Sequence, residues 1–412
     1  MKSRLFISIS LIVSLWCTTY GQYFVLLKDK QTLDSFISYD ETYPDSERVL
    51  PYIQESYNIG DSLIISGEFP EKALKRLRRC PMVSELTADI TFQAFELMEQ
   101  DDAPRHLVSL SNYYGHGDHR NSYYYDNDVN GKGVNVYVID GGIDRQGRQF
   151  SGRILAGVDF TNNTQGTTDV HGHGTHVAGI IGSKTFGVAK DADLIILKVL
   201  DSQGQGSLGL IVSALEFAVN HHRQSGIPGV ANLSLGAPYS TLINRVVDSV
   251  SRAGLVVVVA AGNAAQNACN VLPASAKSAI TVGAIDDRTN RIAEFSNWGS
   301  CVDIFASGVD VASVSAKKLK LQKLLKLLRQ GLHVYSGTSM AAPVVAGLIA
   351  NFLSMGISPD SVKNHMLELA IDGSIPRDDI IARPNTPNLV AYNGLDPEDL
   401  DGESESESDN DT

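Results

Sequence analysis

The sequence predicts an α/β chain: a mainly parallel sheet flanked by helices, preceded by a small α+β unit. Three observations carry this. Beyond Gly133, short apolar runs recur at Val134–Ile139, Leu194–Val199, Val230–Leu235 and Leu255–Ala261, and near-continuous apolar strands mark a sheet covered on both faces. Helical patterns, among them Ser207–His221 and Thr241–Ala253, lie between those runs. Upstream, from about Gln22 to Phe95, strands and helices read in the order βαββαβ, which suggests a ferredoxin-like fold.

Taken in order, the first segment is an address. Lys2 and Arg4 precede the apolar run Leu5–Trp16, and Thr19 and Gly21 place small residues where a leader is cut. Residues 1–21 therefore read as a secretory signal peptide, cleaved after Gly21. The run is shorter than the roughly 20 apolar residues of a membrane span. Residues 22–98 form the small unit, with strands at Tyr23–Lys28 and Ser62–Ser66, helices at Gln31–Tyr39 and Glu71–Arg79, and at least one more strand within Val83–Phe95. Met98–Pro104, acidic and ending in proline, reads as a linker. Residues 99–394 make one large α/β domain. The tail 395–412 is Asp, Glu and Ser with almost no apolar residue, so it cannot bury enough surface to fold. A formal net charge of −13 over 412 residues gives nucleic-acid binding no electrostatic support.

Four segments of the large domain carry chemistry. Asp140 ends the apolar run Val134–Ile139, where open α/β sheets present ligands; alone, it is equally a turn or helix cap. His173 stands in His171-Gly172-His173-Gly174-Thr175-His176 at the start of a helix through Val177–Ile181. Its imidazole has the proton affinity of a general base. Asp169, His171, His173 and His176 also cluster as a metal site would, but without a zinc spacing such as His-Glu-x-x-His. Ser339 opens a helix running to Leu353, where backbone N–H groups and the dipole favour a developing oxyanion; a capping serine is the plainer account. Pro343 is expected in the first turn of that helix, where its missing N–H costs nothing. Asn263 follows the strand Leu255–Ala261, so its carboxamide is presented at a strand end as an oxyanion donor or as an ordinary turn residue.

The conjunction is more specific than its parts. The order Asp…His…Ser, with His173-Gly174-Thr175-His176, Gly337-Thr338-Ser339-Met340-Ala341 and Ala261-Gly262-Asn263, resembles the subtilisin-like serine protease family, most closely its proteinase K-like branch. Val138-Ile139-Asp140, Asn232-Leu233-Ser234-Leu235-Gly236, Phe295-Ser296-Asn297-Trp298-Gly299 and Asp303-Ile304-Phe305 strengthen the match. The resemblance spans about Ala103 to Gly394 and implies a subtilisin-like fold with an inhibitory propeptide before it. It implies a serine endopeptidase acting through an acyl-enzyme, with Ser339 as nucleophile, His173 as base, Asp140 as its partner and Asn263 in the oxyanion hole. Polypeptide substrates would lie between Gly204-Gln205-Gly206 and Ser234-Leu235-Gly236. Gly236 and Ala261-Gly262 would line an open pocket for apolar or aromatic side chains, and Leu208 would stand at a neighbouring pocket. Broad specificity follows from strand addition. The chain's own propeptide is its expected intramolecular inhibitor, removed by self-cleavage near Leu97–Asp102, and a secreted monomer is expected.

No cofactor is implied for catalysis. A structural calcium is, at Asp303 with the carbonyls of Lys277 and Ala279. With Cys17 in the leader and Cys80 in the propeptide, Cys269 and Cys301 remain as a pair in an oxidising compartment. A disulfide or two buried thiols are the alternatives, and some relatives carry the bridge. Gly141, Arg105, Ala342 and Val344 depart from residues usual in the family. Ala316–Leu332 looks inserted: Leu321, Leu324, Leu325, Leu328 and Leu332 fall at helical spacing with basic residues opposite. It is a helix that docks on a membrane surface or a partner, a plain surface hairpin extension, or an unspliced stretch of the gene. Asn162-Asn163-Thr164 is a glycosylation sequon on a loop, whereas Asn232-Leu233-Ser234 should be buried. Two other functions remain open at this point, an inactive binding protein and a metallohydrolase built on the His171–His176 cluster.

Overall fold

The computed structural model describes residues 22–28, 32–60, 62–89, 97–111, 121–145, 149–161, 166–238, 240–316 and 332–395. They fall into two units, Met1–Ala94 and Phe95–Thr412. The expected leader, the Asn162 sequon, the basic segment between 317 and 331 and the tail beyond 395 lie outside the described residues.

The first unit is built on four antiparallel strands in the order Ile53–Ile59, Ser62–Glu68, Gln22–Leu27, Val83–Ala88. With helices Leu33–Asp40 and Glu71–Leu77, the chain order is βαββαβ. Val25, Leu27, Phe36, Ile65, Leu74 and Leu77 make its core. Thr32 starts the first helix through a capping box with Ser35, which satisfies two otherwise orphaned groups. Ile53–Ile59 is the strand the sequence did not locate. It is exposed on both faces along most of its length, so it lacks the alternation that betrays a half-buried strand.

The second unit begins earlier than its composition implies. Leu97–Gln100 is a strand, paired antiparallel with Tyr123–Asp126. The stretch from Met98 is therefore only partly a linker, and this strand belongs to the second unit. The central sheet has ten strands. Across it run Ile371–Asp372, Leu389–Val390, Ile304–Ser307, Ile280–Asp286, Val256–Ala260, Gly229–Leu233, Asn135–Asp140, Asp193–Lys198 and Ile154–Asp159, with Arg291–Ile292 beside Ile280–Asp286. All neighbours are parallel except the pairs made by Ile371–Asp372 and Arg291–Ile292.

Alternation along one strand explains the layers. Val136 and Val138 face one core, shared with helices His173–Gly182 and Thr338–Ser354. Tyr137 and Ile139 face the other, shared with helices Leu208–Ser225 and Thr241–Arg252. Ser207 caps the Leu208 helix by accepting the Leu210 N–H, and Gly226 ends it in a left-handed conformation. From Asn135–Asp140 the chain first builds strands on one side, then crosses to Gly229–Leu233 on the other. That makes the gap between these two strands a topological switch point, where their carboxyl ends open a crevice. Val311–Val314 and Leu332–Tyr335 form a separate antiparallel hairpin, with Val314 opposite Leu332. No helix among the described residues is long and apolar enough to cross a membrane.

Candidate active site

Asp140 is the last residue of its strand and shares the parity of Val136 and Val138, so it is directed to the face that carries the His173 helix. It is completely buried. Its Oδ1 accepts the Gly141 N–H at 2.7 Å, and both carboxylate oxygens lie 2.9 Å from His173 Nδ1. A carboxylate only accepts, so Nδ1 carries the proton and Nε2 is the free base. Burial alone lowers the proton affinity of His173. The charge and hydrogen bond of Asp140, helped by the charge of Asp169, outweigh it and raise the pKa above the ordinary 6.5.

Gly174 lets this pair form. A Cβ there would stand 2.2 Å from the Gly142 carbonyl oxygen and 3.0 Å from Asp140 Oδ1. Asp169 fixes the helix start: it accepts the N–H groups of Gly172 and Thr175 and the Thr175 hydroxyl. Those bonds occupy the carboxylate, and no group of three or more metal-ligating side chains occurs among the described residues. His176 is buried, its Nε2 held 3.1 Å from the carbonyls of both Val311 and His333. It is a packing residue that donates one shared proton to the hairpin.

Ser339 lies in the first turn of Thr338–Ser354. Its Oγ donates to the Ser234 carbonyl at 3.2 Å, across the switch point from Asp140. Asn263 follows the strand Val256–Ala260, and its Oδ1 accepts both the N–H and the hydroxyl of Thr338, at 2.8 and 2.9 Å. Thr338 Oγ1 in turn accepts the Gly262 N–H. With the oxygen so engaged, Nδ2 is the donor end of Asn263. Gly262 has φ +100°, and a Cβ on it would come within 2.4 Å of Asn297 Nδ2. Asn297 braces the same loop through the Ala261 carbonyl and the N–H groups of Ala264 and Gln266. Thr338 and Asn297 are positioning residues that the sequence had not singled out, and Asp169, considered there only as a metal ligand, is a third. Thr338 and Asn297 sat inside motifs already quoted, but nothing in a motif says which neighbour fixes which.

Two cavities meet along Leu235–Pro238. One, of about 730 Å³, is lined by Asp140, His173, Gly204-Gln205-Gly206 and Leu208 as well as Ser234-Leu235-Gly236. His171, Leu200 and Ile211 are also among its walls. The other, of about 590 Å³, is lined by Gly236, Gly262, Asn263 and Ser339. The structure thus gathers all four candidate catalytic residues and most of the substrate-binding set around one cleft.

Three expectations need correction. Ala261 does not line the cavity: strand alternation turns it into the core beside Ala268 and Ala274, and Ala260 and Gly262 take the wall. Pro343 is inside the helix, not in its first turn, because the helix starts at Thr338; it has no N–H to give the Ser339 carbonyl. The calcium ligands also differ. Asp303 Oδ1 lies 2.8 Å from Lys363 Nζ, and the same Nζ donates to the Ala279 carbonyl at 2.9 Å. An ammonium between those oxygens leaves no place for a divalent ion, so these residues do not fit one. Cys269 and Cys301 do form a disulfide, and Asn232 is buried.

The comparisons with known proteins agree with this geometry. The subtilase family model (Peptidase S8) matches residues 131–397. The chain is 36% identical over 386 residues to the subtilase-type proteinase RRT12 of Saccharomyces cerevisiae, covering 84% of this chain and 76% of that one. It is 37% identical over 372 residues to cerevisin of the same yeast, covering 83% of this chain and 55% of the relative. The crystal structure of a cold adapted subtilisin-like serine proteinase aligns with a TM-score of 0.62 and 32% identity, over 72% of this chain and 100% of the other.

Proposed function

The chain belongs to the subtilase family of serine peptidases, and from that premise we propose that it is a secreted, self-processing endopeptidase whose working residues are Ser339, His173, Asp140 and Asn263. The observation that carries the assignment is the 2.9 Å Asp140–His173 pair at the rim of a cleft whose walls include Ser339 and Asn263. Ser339 Oγ leaves its resting bond to Ser234 and attacks the scissile carbonyl, passing its proton to His173 Nε2. Asp140 keeps the imidazole in the required tautomer and stabilises its cation. Asn263 Nδ2 and the Ser339 N–H, which has no helical acceptor in the first turn, bind the oxyanion. The C–N bond breaks, His173 protonates the leaving amine, and a water deprotonated by the same imidazole hydrolyses the acyl-enzyme.

A polypeptide substrate adds as a strand between Gly204–Gly206 and Ser234–Gly236, so recognition is mostly of backbone and specificity is broad. The uncharged wall at Gly236 and Gly262 favours apolar or aromatic side chains. The first unit is the propeptide, and it assists folding and inhibits the enzyme until it is cut away. Cleavage on the amino side of Leu97, not within 97–102, leaves Leu97–Gln100 paired with Tyr123–Asp126. The pattern of residues 1–21 supports secretion, and the Cys269–Cys301 bridge suits an oxidising compartment.

Expressing the chain after Gly21 beside its Ser339→Ala twin tests this reading by intact mass and casein hydrolysis. Maturation and casein digestion by the parent alone support it. A twin already cut at the same bond, with no other protease present, overturns self-processing. A folded parent that is silent towards casein and towards a serine-directed phosphonate points to a binding protein instead.

A further inference from the structure

Two oxygens converge at one end of the central sheet. Asp303 precedes the strand Ile304–Ser307, and Ala279 precedes the neighbouring parallel strand Ile280–Asp286. Asp303 Oδ2 is engaged by the Thr281 N–H at 2.8 Å, which leaves Oδ1 and the Ala279 carbonyl as acceptors. A carboxylate and a main-chain carbonyl are the donors that a hard cation such as calcium takes. We propose that Lys363 Nζ is the permanent cation of this position, an ammonium supplied by the chain in place of a metal ion.

The geometry carries the assignment. Lys363 lies on the helix Val362–Leu369, and its Nζ reaches both oxygens, at 2.8 and 2.9 Å. Both partners are largely covered, with side-chain exposures of 29% and 24%, so this is more than a solvated surface pair. Calcium needs six to eight oxygens at about 2.3–2.6 Å. Here a charged group already occupies the approach, and a divalent ion would meet both its volume and its like charge. The tethered ammonium also does what an ion cannot. It fastens a helix to two strands, one of which pairs with Val256–Ala260, the strand that leads to Asn263. The clamp on that wall of the cleft is thus independent of the calcium level around it.

The test uses the full chain carrying Ser339→Ala, so that it does not digest itself. Bound calcium is counted by equilibrium dialysis with radiocalcium, with and without Asp303→Asn. The expected result is an unchanged count; loss of one calcium on Asp303→Asn overturns the proposal. In chelator, Lys363→Ala should lower Tm by roughly 2–4 °C, the shift of about 1 kcal/mol in a domain of this size, whereas an unchanged Tm also overturns it. Should Lys363→Ala fail to fold, the calcium count decides by itself.

Discussion

Thr338 holds the carboxamide oxygen of Asn263 twice, by its N–H at 2.8 Å and its hydroxyl at 2.9 Å. The rotamer that turns Nδ2 towards an incoming oxyanion is therefore set by a neighbour of the nucleophile. Asn263→Leu should lower kcat by about 10²–10³-fold with KM little changed. Thr338→Val keeps the N–H and loses the hydroxyl, and with it the bonds to Asn263 and from the Gly262 N–H, about 1 kcal/mol each, so roughly five- to thirtyfold in kcat. Steady-state kinetics on a chromogenic peptide separate the two. A Thr338→Val defect as large as that of Asn263→Leu would assign the donor role elsewhere.

The raised pKa of His173 has opposite consequences for activity and stability. Its folded value lies above the unfolded one, so the His173⁺–Asp140⁻ pair adds stability that is complete below about pH 6.5 and fades as pH rises through the folded value. Catalysis needs the neutral imidazole, so kcat/KM should climb across the same window, with its acid inflection above 6.5. Asp140→Asn should move that inflection down and cost about 10⁴ in kcat. A pH–rate profile of the parent with its inflection below 6.5 would count against the coupling.

Two glycines near Asp140 should behave differently. A Cβ at Gly174 meets the Gly142 carbonyl at 2.2 Å, whereas one at Gly141 finds its nearest atom at 3.6 Å. Gly174→Ala must displace backbone beside Asp140, with an expected loss of about 1–3 kcal/mol in stability and at least tenfold in kcat/KM. Gly141→Ala should stay within about 0.5 kcal/mol of the parent. Denaturant midpoints and kinetics on the pair check this, and equal effects would refute it.

Acid should unfold the second unit through buried imidazoles. Burial lowers His106 to about 4 and His176 to about 3. Because these folded values lie below the unfolded one, stability is intact above pH 6.5 and falls with pH as the unfolded chain takes up the protons. Each site contributes a slope of about 1.4 kcal/mol per pH unit between its two values. His106→Gln should remove one such slope from a urea-denaturation series between pH 6 and 4. An unaltered series would place the acid sensitivity in other groups.

The central sheet and the four candidate catalytic residues were legible in the sequence for the same reason. Buried parallel strands are written as unbroken apolar runs, and Asp140, His173, Ser339 and Asn263 sit where those runs stop or a helix starts. What escaped depends on partners far away in the chain. Leu97–Gln100 becomes a strand only because Tyr123–Asp126 lies beside it, and its acidic composition pointed to a linker. Lys363 meets Asp303 through a helix that no local pattern connects to that strand. Ala261 failed by a single residue, since a motif names a neighbourhood while strand alternation decides which side chain faces the cleft. Pro343 failed likewise, by the position of the first helical residue.

The hairpin Val311–Val314/Leu332–Tyr335 is fastened to the helix that bears His173 by the proton His176 Nε2 shares between the carbonyls of Val311 and His333 and by the Ser313 hydroxyl, which donates to the His176 carbonyl at 2.8 Å. Its strands close at Val314 and Leu332, so whatever is spliced between them begins and ends at neighbouring points. Lengthening such a loop is cheap, about 0.6 kcal/mol for each doubling. Register is locked along the helix that bears His173, where the missing side chain of Gly179 leaves room for Ser313 and Val314. Sequence can therefore be added at this hairpin at little entropic cost, but only beside the candidate base: a Cβ on Gly172 would lie 3.7 Å from the Tyr335 hydroxyl and 4.0 Å from the Ala316 Cβ.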